Sequence, residues 1–97
     1  MKYQIAPKST EIQSDWYEAR LYCFSLNIDG KVGWRLPTKE ELNEIYESEN
    51  DVVGRGYWSS TEINNYTAWA QNMSSGYQGI CGKDCGDVYV RAVRSIQ

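Results

Sequence analysis

One junction in the middle of the chain constrains the order of its secondary structure most tightly. Trp34–Leu36 alternates apolar and polar side chains, which indicates a short strand, and Pro37 ends it because proline cannot donate a backbone hydrogen bond. Thr38 and Glu41 then match the Thr-x-x-Glu capping box, in which two side chains satisfy the free N–H groups at the start of a helix. The sequence therefore predicts a strand that passes directly into a helix.

Two helices are predicted, one on each side of that strand. The first runs from about Asp15 to Leu26 with Ser14 as its N-cap, and the second follows the capping box and ends between Glu47 and Asn50. Apolar residues at helical spacing mark the side of each helix that faces the core. They are Trp16, Ala19, Cys23 and Leu26 in the first helix, and Leu42, Ile45 and Tyr46 in the second.

The remaining segments are predicted to be strands and loops. Strands are expected at Met1–Ala6, Tyr57–Ser60, Thr67–Met73, Tyr77–Ile80 and Val88–Arg94. Polar or glycine-rich connections are expected at Pro7–Gln13, Asp51–Gly56, Glu62–Tyr66, Ser74–Gly76 and Cys81–Asp87. This order predicts a single α+β domain over residues 1–97, with two helices followed by a small twisted antiparallel sheet and a loop-rich second half.

Size and charge exclude several classes of function. A chain of 97 residues forms one domain around one core. Its formal net charge of −3 gives no broad cationic face, so we expect neither nucleic acid nor a membrane surface as a partner. No apolar run approaches the length of a membrane span, and the N-terminus lacks the apolar region of a signal peptide. We therefore expect a cytoplasmic or virion-associated protein.

Catalysis has little support in the residue types present. The chain has no histidine, which excludes Ser-His and Cys-His nucleophile pairs. Carboxylate pairs such as Glu40 and Glu44 fall on a predicted helix, where they form a solvated face. We expect a protein that is not an enzyme and has no cofactor.

The three cysteines, Cys23, Cys81 and Cys85, allow several interpretations. An odd number argues against a closed disulfide framework, so free thiols are the favoured state. Cys81-Gly82-Lys83-Asp84-Cys85 could also close a disulfide worth about 2 kcal/mol, contribute half of a metal site, or act as a redox pair.

Three stretches taken together resemble a known family. They are Trp34-Arg35-Leu36-Pro37-Thr38 with Glu41-Leu42, then Tyr57-Trp58-Ser59-Ser60-Thr61-Glu62, and finally Tyr89-Val90-Arg91-Ala92-Val93-Arg94. In this order they are similar to the Lcl C-terminal domain family (DUF1566) of bacteria and phages, over about Ser14 to Ser95. The resemblance implies a C-type-lectin-like fold, in which Met1–Ala6 pairs with Val88–Arg94 and the motif tryptophans lie in the core.

One position departs from the family pattern. Many members carry a cysteine where this chain has Ala92, and the resemblance implies that it pairs with the cysteine of the first helix, here Cys23. Such a bridge closes a long loop and would be worth about 4 kcal/mol. Its absence fits a reducing compartment.

Binding is the function that we favour from the sequence. The chain has four Trp and eight Tyr, and exposed tyrosine beside asparagine and serine makes adaptable contacts. Lectin-like folds usually place their ligand surface in the loops of the second half. The predicted ligand-binding residues are Glu62, Asn64, Asn65, Tyr66, Tyr77, Asp84 and Asp87.

The leading hypothesis is a non-catalytic module that binds a protein or a glycan through these loops. An alternative is a small phage or mobile-element protein that binds and inhibits a host intracellular protein. Several oxygen ligands among the seven residues would also suit calcium, but acidic and amide residues in loops are more often turn formers, and no metal is predicted. The sequence leaves the oligomeric state open.

Overall fold

A computed structural model describes residues 2–48 and 54–96 of the chain. It contains two α-helices, α1 (Trp16–Ser25) and α2 (Lys39–Ser48), and a short 3-10 helix at Lys8–Thr10. The strands are β1 (Tyr3–Ile5), β2 (Ile12–Ser14), β3 (Trp34–Arg35), β4 (Gly56–Glu62), β5 (Thr67–Asn72), β6 (Gln78–Gly82), β7 (Val88–Val90) and β8 (Val93–Ser95). The predicted α+β class is confirmed.

The strands form two sheets rather than the single antiparallel sheet that was predicted. One sheet has three strands in the order β1-β8-β3, and the other has five in the order β2-β7-β4-β5-β6. In the larger sheet β7 runs parallel to β4, with Tyr89 opposite Tyr57, so this sheet is mixed. The predicted strands before the first helix and between the two helices are confirmed as β1 and β3, but the predicted Pro7–Gln13 connection was wrong, because it contains the 3-10 helix and most of β2.

The starts of both helices follow from side-chain capping. Asp15, and not the predicted Ser14, is the N-cap of α1, and its Oδ1 accepts a hydrogen bond of 2.8 Å from the Glu18 N–H. The capping box of α2 is confirmed. The Glu41 N–H donates to Thr38 Oγ1 at 3.1 Å, and the Thr38 N–H donates to Glu41 Oε1 at 2.9 Å.

The larger sheet separates two buried clusters. Successive residues of a strand point to opposite faces, and on β4 Trp58 belongs to the cluster beneath α1, whereas Tyr57 belongs to the cluster beneath α2. The α1 cluster consists of Ala6, Trp16, Ala19, Cys23, Trp34, Leu36, Trp58, Ala68, Val88, Val90 and Ala92. The α2 cluster consists of Tyr3, Leu42, Ile45, Tyr57, Met73 and Val93. The motif tryptophans Trp34 and Trp58 are therefore core residues, as expected.

The last predicted strand, Val88–Arg94, is broken into two. Its first half, β7, pairs with β2 and β4, and its second half, β8, pairs antiparallel with β1 and β3. The expected pairing of the chain ends is confirmed for β1 and β8, with Tyr3 opposite Ser95. The break falls at Arg91 and Ala92, where the strand passes from one sheet to the other.

Arg91 turns its side chain inward at this break. Its Nε donates to the Ala6 carbonyl oxygen at 2.6 Å, and its Nη1 donates to Glu11 Oε2 at 2.8 Å. The Tyr57 hydroxyl donates to the same Glu11 oxygen at 2.7 Å. The Arg91 and Glu11 side chains are 4% and 7% exposed, so this ion pair is shielded from water.

The loops agree only partly with the sequence. The turn predicted at Ser74–Gly76 is confirmed, and Gly76 has φ +80°, where a Cβ would lie 2.6 Å from the Tyr46 ring. Cys81 and Gly82, predicted as loop, are the end of β6, where they pair with Ala68 and Thr67. Residues 49–53, which include the first half of the predicted Asp51–Gly56 loop, lie outside the described residues, as does the predicted helix end beyond Ser48.

Replacement of the buried carboxylate is expected to destabilise the fold strongly. Glu11→Ala removes the acceptor that Arg91 and Tyr57 share, and we expect a loss of about 3 kcal/mol in the free energy of unfolding, as for other broken buried pairs. Tyr57→Phe removes one hydrogen bond and should cost about 1 kcal/mol. Urea unfolding of the two variants measures both losses. Equal, small losses would show that the ion pair does not hold the two sheets together.

Candidate binding groove

Helix α1 carries more apolar surface than one side of a helix can bury. Seven of its ten residues are apolar or aromatic. Trp16, Ala19 and Cys23 face the core, as predicted. On the opposite side Tyr17, Leu21 and Phe24 are 48%, 63% and 82% exposed. Their spacing of four and three residues aligns them along the helix, and we call this row the α1 ridge.

The α1 ridge forms one wall of a groove of about 540 Å³. The other wall and the base come from β3, from Leu36 just after it and from Ser60 on β4. Trp34 and Leu36 are each only 2% exposed, so their few accessible atoms form an apolar base. Pockets of 300–1,000 Å³ with mostly apolar walls are typical of binding sites in proteins.

Two guanidinium groups lie at the groove, and other residues fix both of them. Arg35 donates to both carboxylate oxygens of Glu41, at 2.7 and 2.9 Å, and to Ser95 Oγ at 3.0 Å. The hydrogen bonds from Arg35 hold the pKa of Glu41 below its usual value, with a further contribution from the capping bond of Thr38. The guanidinium carbon of Arg20 lies 4.9 Å from the centre of the Trp16 ring.

A buried lysine joins α1 to the β4–β5 turn. Lys83 is 3% exposed, and its Nζ lies 2.6 Å from Glu62 Oε2 and 4.2 Å from the centre of the Trp16 ring. The hydrogen bond from Lys83 lowers the pKa of Glu62. The Lys83 backbone also accepts from the Trp16 N–H at 2.9 Å and donates to the Tyr66 carbonyl at 2.8 Å. Lys83 therefore fixes the turn against the start of the helix.

The β4–β5 turn meets the end of the groove. The Tyr17 hydroxyl donates to the Asn65 carbonyl oxygen at 3.2 Å, so the first residue of the α1 ridge contacts the turn directly. Asn64 Oδ1 accepts from the N–H groups of Tyr66 and Thr67 and shapes the turn from within. Tyr66 is 78% exposed beside it.

The structure divides the seven predicted site residues between two places. Glu62, Asn64, Asn65 and Tyr66 lie together at one end of the β5–β6 hairpin, and the exposed Asp84 and Asp87 lie in the loop that follows β6 at that end. Tyr77, 72% exposed, precedes β6 at the other end. The pairs Thr67–Gly82 and Gln71–Gln78 are four residues apart, so about 13 Å of strand separates the ends.

The predicted site does not include the α1 ridge, although its signal is present in the sequence. Trp16, Ala19 and Cys23 mark the predicted inner side of the first helix, and Tyr17, Leu21 and Phe24 have no predicted role. A helix that is apolar on both sides is either buried on both sides or covered by a partner. By that rule the α1 ridge, which the described residues leave uncovered, is a candidate contact surface.

The cysteines are free thiols in the structure. Burial raises the pKa of Cys23 to about 12. Burial and a hydrogen bond with the Cys85 thiol raise the pKa of Cys81 to about 11. Within residues 2–48 and 54–96, no three cysteine or acidic side chains are grouped so that they could hold a metal ion. In the same ranges no helix has the length and apolar character needed to cross a membrane.

Comparison with known proteins identifies the family of this chain. The sequence profile of the family described as the Lcl C-terminal domain matches residues 3–94, which is nearly the whole chain. No curated protein matches the sequence.

The Arg35–Glu41 pair predicts a pH dependence. The pKa of Glu41 is lower in the folded state than its ordinary value of 4.5. The ionised Glu41 therefore contributes its full stabilisation of the fold above pH 4.5, and this stabilisation is lost as the pH falls through the lower pKa of the folded state. The difference in unfolding free energy between the wild type and Glu41→Gln should therefore be largest near neutral pH and shrink in acid. Glu47→Gln, an exposed change on the same helix, is the control. A constant difference from neutral pH to about pH 3 would show that the pair does not stabilise the wall of the groove.

Proposed function

This chain belongs to the Lcl C-terminal domain family, and from that premise we propose that it is a non-catalytic binding module that recognises a protein partner. The α1 ridge is the observation that carries the proposal. Three large apolar side chains line an open groove and remain in water. Complete burial of a leucine or phenylalanine side chain contributes about 2 kcal/mol, so covering the ridge would strongly favour association.

The chemistry of the ridge favours a protein over a glycan. Leu21, at its centre, has no group that can hydrogen-bond to a sugar hydroxyl, and its neighbour Phe24 is equally apolar. Aromatic and aliphatic anchors in a concave site with arginine nearby are typical of protein–protein contacts. Arg20 at the groove favours a partner segment that carries a carboxylate beside its apolar residues, whereas the charge of Arg35 is compensated by Glu41.

We also propose that the fold is C-type-lectin-like and that the β4–β5 turn extends the site. The paired terminal strands and the two helices on opposite faces of the larger sheet support this assignment. The Glu62–Tyr66 turn adjoins the groove through the Tyr17–Asn65 hydrogen bond. Tyr66 would then contact the partner. Tyr77 lies at the far end of the hairpin, so its replacement is a negative control for binding.

A second candidate is a phage or mobile-element product that binds and inhibits a host protein inside the cell. Ala92 is the observation that favours it. Ala92 lies in the same buried cluster as Cys23, so Cys23 has no disulfide partner there. A domain that keeps a buried free thiol at this place suits a reducing compartment, and its partner would then be a cytoplasmic protein of the host.

Matched surface variants test the proposed site. Leu21→Ser and Phe24→Ser alter exposed side chains, so each should fold with a Tm close to that of the wild type. With each variant as purified bait in bacterial lysate, we expect one stoichiometric partner to be captured by the wild type and by Tyr77→Ala, but at least tenfold less by Leu21→Ser or Phe24→Ser. Tyr66→Ala should give an intermediate loss.

Other outcomes would overturn the proposal in defined ways. A partner lost with Tyr77→Ala and retained by Leu21→Ser would place the site at the other end of the hairpin. A glycan retained equally by all four variants would show that the ridge is not used. Turnover of a substrate that a single side-chain change abolishes would make the protein an enzyme.

A further inference from the structure

Two thiols lie side by side where β6 ends. Cys81 is the fourth residue of β6 and pairs with Ala68, and Cys85 follows in a turn closed by its N–H, which donates to the Gly82 carbonyl at 3.1 Å. Both side chains pack against the α1 cluster from the same side of the sheet, and Cys85 is among the neighbours that raise the pKa of Cys81. The turn therefore places the two thiols against the same buried cluster, four residues apart in sequence.

We propose that Cys81 and Cys85 form a reversible disulfide by exchange with a low-molecular-weight disulfide. Both residues are only partly buried, so a small reagent can reach them, whereas Cys23 is fully buried in the α1 cluster. The pair is four residues apart in sequence, and the bond would close a small ring across the turn. This inference is independent of the proposed binding function.

The exchange has two steps and a defined order. The Cys85 thiolate attacks one sulfur of the reagent R–S–S–R, which forms a mixed disulfide and releases one R–S⁻. The Cys81 thiol then gives its proton to water, attacks the Cys85 sulfur and displaces the second R–S⁻. The protein loses two electrons and two protons, and the reagent becomes two thiols.

The environment of Cys81 assigns it to the second step. Its pKa is raised to about 11, mainly by burial, then by the neighbouring Cys85, and last by the carboxylates of Asp87 and Asp84, which disfavour a nearby negative charge. Lys83, the other charged group of the turn, is held by Glu62 and Trp16. Burial and the two carboxylates still disfavour the Cys81 thiolate in the mixed disulfide, so ring closure should be slow at neutral pH and become faster as the pH rises.

The ring would enclose Lys83, which connects the turn to α1. The Lys83 backbone bonds both Trp16 and Tyr66, so a disulfide across Cys81–Cys85 would hold these contacts in place. Oxidation should therefore raise the Tm of the protein. It should also slow amide hydrogen exchange at Lys83 more than at residues of α2.

The test uses the full chain and oxidised glutathione. Intact mass should show loss of two hydrogen atoms in the wild type and in Cys23→Ser, and peptide mapping should place the bond between Cys81 and Cys85. Cys81→Ser should stop at one glutathione adduct on Cys85, and Cys85→Ser should react much more slowly. A reductant should reverse both products.

Three results would overturn the proposal. They are stable glutathione adducts on wild-type Cys81 or Cys85 without ring closure, a disulfide that includes Cys23, and covalent dimers. The Tm of each reduced variant should lie close to that of the reduced wild type. A variant that is folded but forms no disulfide then lacks the bond because it lacks the thiol, and not because it is misfolded. If Cys85→Ser is misfolded, Cys85→Ala replaces it in the same assay.

Discussion

The buried guanidinium of Arg91 connects the two sheets, and the remaining architecture is arranged around it. It lies at the break between β7 and β8, contacts the carbonyl of Ala6 just after β1 and pairs with Glu11 just before β2. Tyr57 of β4 shares the same carboxylate. The Arg91–Glu11 pair thus connects four segments that belong to different sheets. A charge taken out of water is tolerated only with such complete pairing.

The position of α1 follows from this arrangement. Asp15 alone separates β2 from the helix, so the pairing of β2 with β7 determines where α1 begins. Its inner side then fills the cluster above the larger sheet, and Trp16 is held there by Lys83 and by a hydrogen bond of 2.9 Å to the Ser59 carbonyl. Among the described residues no element covers the outer side of α1. The exposed ridge is therefore a consequence of a small fold whose helix is apolar on both sides.

Local rules identified most of the elements but not their arrangement in sheets. The capping box, the inward side of each helix and the turn at Gly76 depend on neighbouring residues, and all three were correct. Val88–Arg94 was predicted as one strand because its alternation is regular through Arg91. Its break depends on Glu11, eighty residues away, which no local pattern can indicate.

Local sequence patterns also do not predict how the residues of the candidate site are arranged in space. Tyr66 and Tyr77 were predicted to lie in or beside turns, and both are exposed, but the distance between them depends on which end of the hairpin each turn closes. In the sequence, the α1 ridge appears only as an excess of apolar residues in the first helix. Its meaning required the knowledge that β3 and Leu36 form the opposite wall and leave the groove open.

The most direct test of the account is site-specific photocrosslinking in living cells of the native host. A photoreactive phenylalanine analogue at position 24 should crosslink to one discrete protein, and the same analogue at position 77 should not. A crosslink from position 77 alone, or from neither position while the protein is folded and abundant, would contradict the central claim that the outer side of α1 is the binding surface.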